Sequence, residues 1–135
     1  MTPIEKLLRL FLIASGASCV MGLGFLAVPL SWMDAIHRLA GLGPMPQEPV
    51  VEYLARSACV LYPMLGGVMI LSGIKLRQYR SLVLYQGAVW LAFGVIVGAI
   101  DSAAGLPPYW TWGEAAATVF MGAVMLLLGR KIQRV

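Results

Sequence analysis

Four apolar runs divide the chain, separated by short polar segments. The first runs from Leu10 to Met33 without a charge. The second is Ser57 to Ile74, closed by Lys75. The third is Ser81 to Ile100, closed by Asp101. The fourth is Ala115 to Gly129, closed by Arg130. A helix needs about 20 apolar residues to cross the hydrocarbon core of a bilayer. The second and fourth runs reach that length if their helices begin at Glu52 and Trp112. The pattern therefore predicts membrane-spanning helices over residues 7–30, 52–74, 80–101 and 112–130, in a single integral membrane domain covering 1–135. Met33 to Leu39 reads as a short interfacial helix. Short connections make neighbouring spans antiparallel. The expected fold is all-α: a four-helix transmembrane bundle, up-down-up-down.

Composition agrees with this reading. Hydrophobic residues make up 60% of the chain and charged residues 12%, against about 25% charged in a soluble domain. The net charge is +4, but the basic residues sit beside the apolar runs and form no nucleic-acid footprint. Lys6 and Arg9 precede the first run. Lys75, Arg77 and Arg80 lie between the second and third. Arg130, Lys131 and Arg134 follow the fourth. Eight of the ten basic residues thus fall on one side, with Glu5 as its only acid. Loops rich in Lys and Arg stay in the cytoplasm, so both termini are expected there. The other side holds Asp34, Glu48, Glu52, Asp101 and Glu114, with Arg38 and Arg56. It is expected to face outward from a bacterial inner membrane. Gly16-Ala17-Ser18-Cys19 has the outline of a lipoprotein cleavage site. However, Gly16 stands where that site needs a large aliphatic residue, and the apolar run continues past Cys19. The first helix is expected to be retained.

Small residues mark where helices approach closely in lipid. Helix one offers Ser15 to Cys19, Gly22 and Gly24. Helix two offers Gly66 and Gly67 after Pro63. Helix three offers Gly87, Gly94 and Gly98, the last two in GxxxG spacing. At about 100° per residue, Arg56 shares an arc with Cys59, Pro63, Gly66 and Gly67. Asp101 shares one with Gly98, Gly94, Trp90 and Gly87. Both charges therefore lie on small-residue faces. Glu52 sits one turn before Arg56, in ion-pair spacing. Glu114 opens helix four, where a carboxylate suits the helix N-terminus.

Glu52, Arg56, Asp101 and Glu114 are thus expected to converge at the outer end, with Arg56 paired to Glu52 and to Asp101 or Glu114. Trp32, Tyr53, Tyr109, Trp110 and Trp112 lie at the same depth. Two readings of this cluster stay open. In one, the charges pair structurally and the aromatics form the interfacial belt. In the other, the cluster is an outward-facing polar pocket for a small ligand or ion. Asp34 and His37, three residues apart on the interfacial helix, and Trp110 are secondary candidates. One His with scattered carboxylates does not make a metal site, and no cofactor is expected. Bis-His haem ligation lacks a second His. Cys19 and Cys59 form no CxxC pair and read as small buried hydrophobes. GxSxG and phosphate-cradling motifs are absent. No acid lies near a helix centre, where proton-coupled transport would need one.

In Tyr53-Leu54-Ala55-Arg56-Ser57, and in Ile100-Asp101 followed by Gly105-Leu106-Pro107, Trp110 and Glu114, the chain resembles the small four-span bacterial membrane proteins of the DoxX-like and BphX-like kind. The resemblance implies a four-span layout over the whole chain and no particular activity. The leading expectation for function is a non-catalytic inner-membrane component that acts through its outer face. Its partners would be the lipid bilayer and another membrane protein or a second copy of itself. An oligomeric transporter or channel for a small solute is the alternative. A membrane redox enzyme subunit is the third reading.

Overall fold

The computed structural model describes residues 1–133; Arg134, counted above among the basic residues of one side, lies outside them. Five α-helices follow one another: α1 (Pro3–Val20), α2 (Leu30–Leu39), α3 (Pro49–Ile74), α4 (Arg80–Ala104) and α5 (Pro108–Gly129). A 3₁₀ segment, Met21–Leu26, prolongs α1. Among the described residues four stretches are long and apolar enough to cross a membrane: Pro3–Leu26, Pro49–Ile74, Arg80–Ala104 and Pro108–Gly129. The chain is all-α, with the architecture of a multi-pass membrane protein.

The helices α3 and α5 begin earlier than the apolar runs, at Pro49 and Pro108. Proline lacks the N–H that the first turn of a helix leaves unused, and its ring presets a helical φ, so it opens helices well. The short helix α2 likewise starts three residues before Met33, directly after Pro29. Pro63 lies inside α3 without ending it.

The chain forms two compact units, Met1–Ile13 with Leu71–Val135, and Ala14–Ile70. In the second unit α1 and α3 run antiparallel. A Cβ added at Gly16 would stand 2.6 Å from the Gly66 carbonyl oxygen, and one at Gly66 would stand 2.5 Å from that of Gly16. Gly22 leaves room for the Pro63 ring. Gly24 and Gly67 have nothing within 4 Å of an added Cβ, so these two mark no contact.

The first unit is a bundle of the start of α1, the end of α3, and α4 and α5. Its tightest seam is α4 on α5. A Cβ at Gly94 would meet Val119 N at 2.8 Å, one at Gly98 would meet Ala115 Cβ at 3.0 Å, and one at Gly87 would meet the Gly122 carbonyl at 3.1 Å. The closest approach is at Gly122, whose added Cβ would strike Leu91 N. Phe11 packs edge-on against Phe120. Buried Gln86 donates to Ser72 Oγ at 2.9 Å, tying α4 to α3. At the end of this unit where α1 begins, Thr2 and Glu5 cap the helix reciprocally. Glu5, 2% exposed, takes a two-pronged guanidinium from Arg77 at 2.8 and 3.0 Å. Arg80 donates to the Arg130 carbonyl at the end of α5.

Candidate functional site

In the second unit Arg56 is fully engaged. Its Nε donates to Glu52 Oε1 at 2.8 Å, as the spacing predicts. Its Nη1 donates to the Leu26 carbonyl at 2.7 Å and its Nη2 to that of Val28 at 3.5 Å. Leu26 closes the 3₁₀ segment, where terminal carbonyls have no partner within the helix. One guanidinium therefore caps the end of the first span and holds the ion pair. Leu26, Pro49, Glu52, Tyr53, Arg56, Ser57 and Val60 line an open pocket of about 440 Å³ beside it.

Asp34 and His37 organise the loop that follows α2. Asp34 accepts from the Met45 backbone N–H at 2.7 Å and from Arg38 Nε at 2.8 Å. The Arg38 guanidinium and the Met45 amide together hold its carboxyl below the usual aspartate range. His37 Nδ1 bonds the Gly43 carbonyl at 2.8 Å. Gly41 and Gly43 turn the loop at positive φ, 76° and 80°, a conformation that glycine adopts without cost. Among the described residues no three His, Cys, Asp or Glu side chains gather closely enough to hold a metal ion.

In the first unit Asp101 and Glu114 have different surroundings. Glu114 accepts from Trp110 Nε1 at 3.0 Å, one turn earlier on α5. Asp101 sits in the last turn of α4, 5% exposed, and its Oδ2 has no hydrogen-bond partner among the described residues. Its backbone is fixed. Gly105, at φ 73°, ends the helix, with Leu106 N–H donating to the Asp101 carbonyl and Gly105 N–H to that of Ser102. This is the Schellman closure, which pins the last helical turn. Thr111, in the first turn of α5, is 7% exposed, and its Oγ1 likewise has no partner. The seam already described sets Gly94 and Gly98 against Ala115. Carried one turn further, that antiparallel register sets Ser102, the residue after Asp101, at the level of Thr111. A groove of about 490 Å³ opens along the same seam, with Thr111 in its wall.

Comparison with protein-family models, with curated proteins and with solved structures finds no match to this chain. The chemistry of the site rests on these residues alone. A buried oxygen that accepts nothing carries an uncompensated desolvation cost. Two such oxygens lie in the last turn of α4 and the first turn of α5. Of the side chains singled out in the sequence, Arg56, Asp34 and His37 hold backbone in place, Glu52 holds Arg56, and Glu114 holds Trp110. Asp101 keeps a free acceptor. Thr111 is the residue that periodicity alone did not single out. It lies on the inward arc of α5 with Ala115 and Thr118, so an apolar span with hydroxyls on its small-residue face was the available signal.

Proposed function

We propose that the protein is a non-catalytic component of a bacterial inner membrane that binds its ligand or partner at the outward end of α4 and α5. The observation that carries this reading is the buried, unpartnered acceptor on Asp101. Intramembrane ionisable groups are costly and mark functional sites by default. Deeper in this unit the buried polar side chains bond one another or the backbone. Gln86 bonds Ser72, and Thr118 donates to the Glu114 carbonyl. A solute pathway would need a run of unsatisfied or hydrated groups along the span, so these internal bonds favour binding over transport. Kinship with the DoxX-like and BphX-like four-span proteins is proposed on the Tyr53–Ser57 and Ile100–Glu114 residues that carry the resemblance.

The test is isolation of the chain from its native membrane in mild detergent, as wild type and as Asp101→Asn. Molecules that stay bound to each are then identified by mass spectrometry. At least one species should be retained by the wild type and lost from the variant. Identical sets would overturn the assignment of the site to Asp101.

A further inference from the structure

At the other end of the first unit from Asp101, positive charge outnumbers its partners. The one acid there, Glu5, is taken by Arg77. Both of its oxygens are occupied, Oε1 by Arg77 Nε and Oε2 by Arg77 Nη2 and the Thr2 N–H. Among the described residues Lys6, Arg9, Lys75, Arg80, Arg130 and Lys131 are therefore in no ion pair. A cavity of about 350 Å³ opens between the start of α1 and the chain that follows α3. Its wall includes Met1, Glu5, Ile74, Lys75, Arg77 and Gln78. We infer that this cavity holds the phosphate headgroup of an anionic membrane phospholipid, with Lys75 and Arg77 as its contacts.

The buried pair orients Arg77. Its Nε and Nη2 are held by Glu5, and Glu5 is held in turn as the cap of α1. Its Nη1 has no hydrogen-bond partner among the described residues, and the side chain is 44% exposed. A guanidinium fixed on one edge and open at the remaining nitrogen is a preoriented donor for a phosphate oxygen. The Glu5–Arg77 pair sums to zero charge, so Lys75 makes the cavity positive. Arg9 adds to that field, since its Nη1 stands 3.7 Å from the sulfur of Met1 in the cavity wall. Basic pockets at the ends of spans suit anionic lipid heads. The depth of the cavity selects a lipid over a dissolved phosphate. Ile74, the last residue of α3, is exposed, as is Leu71 one turn before it. A phosphate at Lys75 thus sits where the apolar span ends, and its acyl chains continue along these two side chains. A free anion would have only the charge attraction, which salt screens.

Native mass spectrometry of the purified full chain tests this. The protein in neutral detergent is titrated with phosphatidylglycerol and phosphatidylcholine of identical acyl chains, and separately with glycerol phosphate as the head without tails. A basic side chain beside an anionic lipid is worth about fivefold in affinity. Phosphatidylglycerol should therefore bind the wild type at least about fivefold more tightly than phosphatidylcholine. Lys75→Gln should lose most of that margin. Lys131→Gln removes the same charge at a position outside the cavity wall and should keep it. Glycerol phosphate should not displace the bound lipid at equal concentration. Circular dichroism confirms that each variant is folded. If Lys75→Gln unfolds, Gln78→Glu adds a negative charge to the same wall and should shrink the margin in its place. Equal binding of the two lipids by the wild type would overturn the site. Equal losses from the two lysine variants would overturn it as well, since only diffuse surface charge would then be acting. Displacement by glycerol phosphate would overturn the lipid assignment in favour of a dissolved phosphate.

Discussion

Arg56 shows how much a single long side chain can do at a membrane boundary. Its helical spacing from Glu52 suggests an ion pair, but the pair is partly exposed, with side-chain exposures of 30% and 40%. Such pairs contribute little, about 0–1 kcal/mol. The bonds to the Leu26 and Val28 carbonyls matter more, because removing them leaves the end of the first span uncapped. Arg56→Ala should therefore lower the melting temperature in detergent clearly more than Glu52→Gln does, by a difference of about 1–2 kcal/mol. Equal shifts would place the stabilisation in the ion pair. The sequence made the Glu52 partner legible, since four residues is one helical turn. It could not reveal the carbonyls, which lie 30 and 28 residues away, at and just beyond the end of a 3₁₀ extension that apolar patterning does not distinguish from α-helix. Thr111 escaped for a related reason: an isolated threonine in a span is usually satisfied by its own backbone, as Thr118 is.

Among the helices, the glycines separate into those that carry contacts and those that do not. Gly16, Gly66, Gly87, Gly94 and Gly122 meet backbone of the facing helix, whereas Gly24 and Gly67 meet nothing. GxxxG spacing on α4 pointed to Gly94 and Gly98, and both lie in the α4–α5 seam. The tightest point, Gly122 on α5, has no glycine four residues away to advertise it. Gly94→Leu and Gly122→Ala should each destabilise the bundle, by about 1–3 kcal/mol or more, as overpacking of a close seam does. Val95→Leu, at a position 62% exposed, should change the melting temperature little. Similar shifts for all three would mean that the seam has been misplaced. The helices start at Pro49 and Pro108, before the residues 52 and 112 that run length suggests, because apolar patterning does not register proline, which at the first position is an initiator.

For the whole molecule, the number of spans was legible because each apolar run is long and unbroken by charge. Orientation rests on the Lys/Arg bias alone. Reporter fusions after Gln78 should read as cytoplasmic, and fusions after Gln47 and after Gly105 as exported. A cytoplasmic signal after Gln47 would contradict the proposed arrangement. The end that bears the termini held structure that charge counting concealed. Glu5 was tallied as one acid among eight bases, yet Thr2-Pro3-Ile4-Glu5 has the spacing of a capping box, and its partner Arg77 is one of those bases.

The Glu5–Arg77 pair also bears on the order in which the protein is made. Glu5 leaves the ribosome before Arg77, its partner 72 residues later. Until the chain has grown past the second span, this carboxylate, destined to be 2% exposed, has no guanidinium to meet. The first helix is therefore an unfinished part throughout early synthesis, and the ion pair closes only after the loop before α4 has been made. A chain without Arg77 leaves this carboxylate without its counter-charge, which is expected to shorten its lifetime in the membrane. Full-length Arg77→Ala should then share the short lifetime of a chain truncated before Arg77 in a pulse-chase experiment, and Glu5→Gln with Arg77→Ala should outlast Arg77→Ala alone, since loss of both partners leaves no buried charge exposed to that cost. Equal lifetimes for the single and double variants would show that the unmet carboxylate is not what marks the incomplete chain.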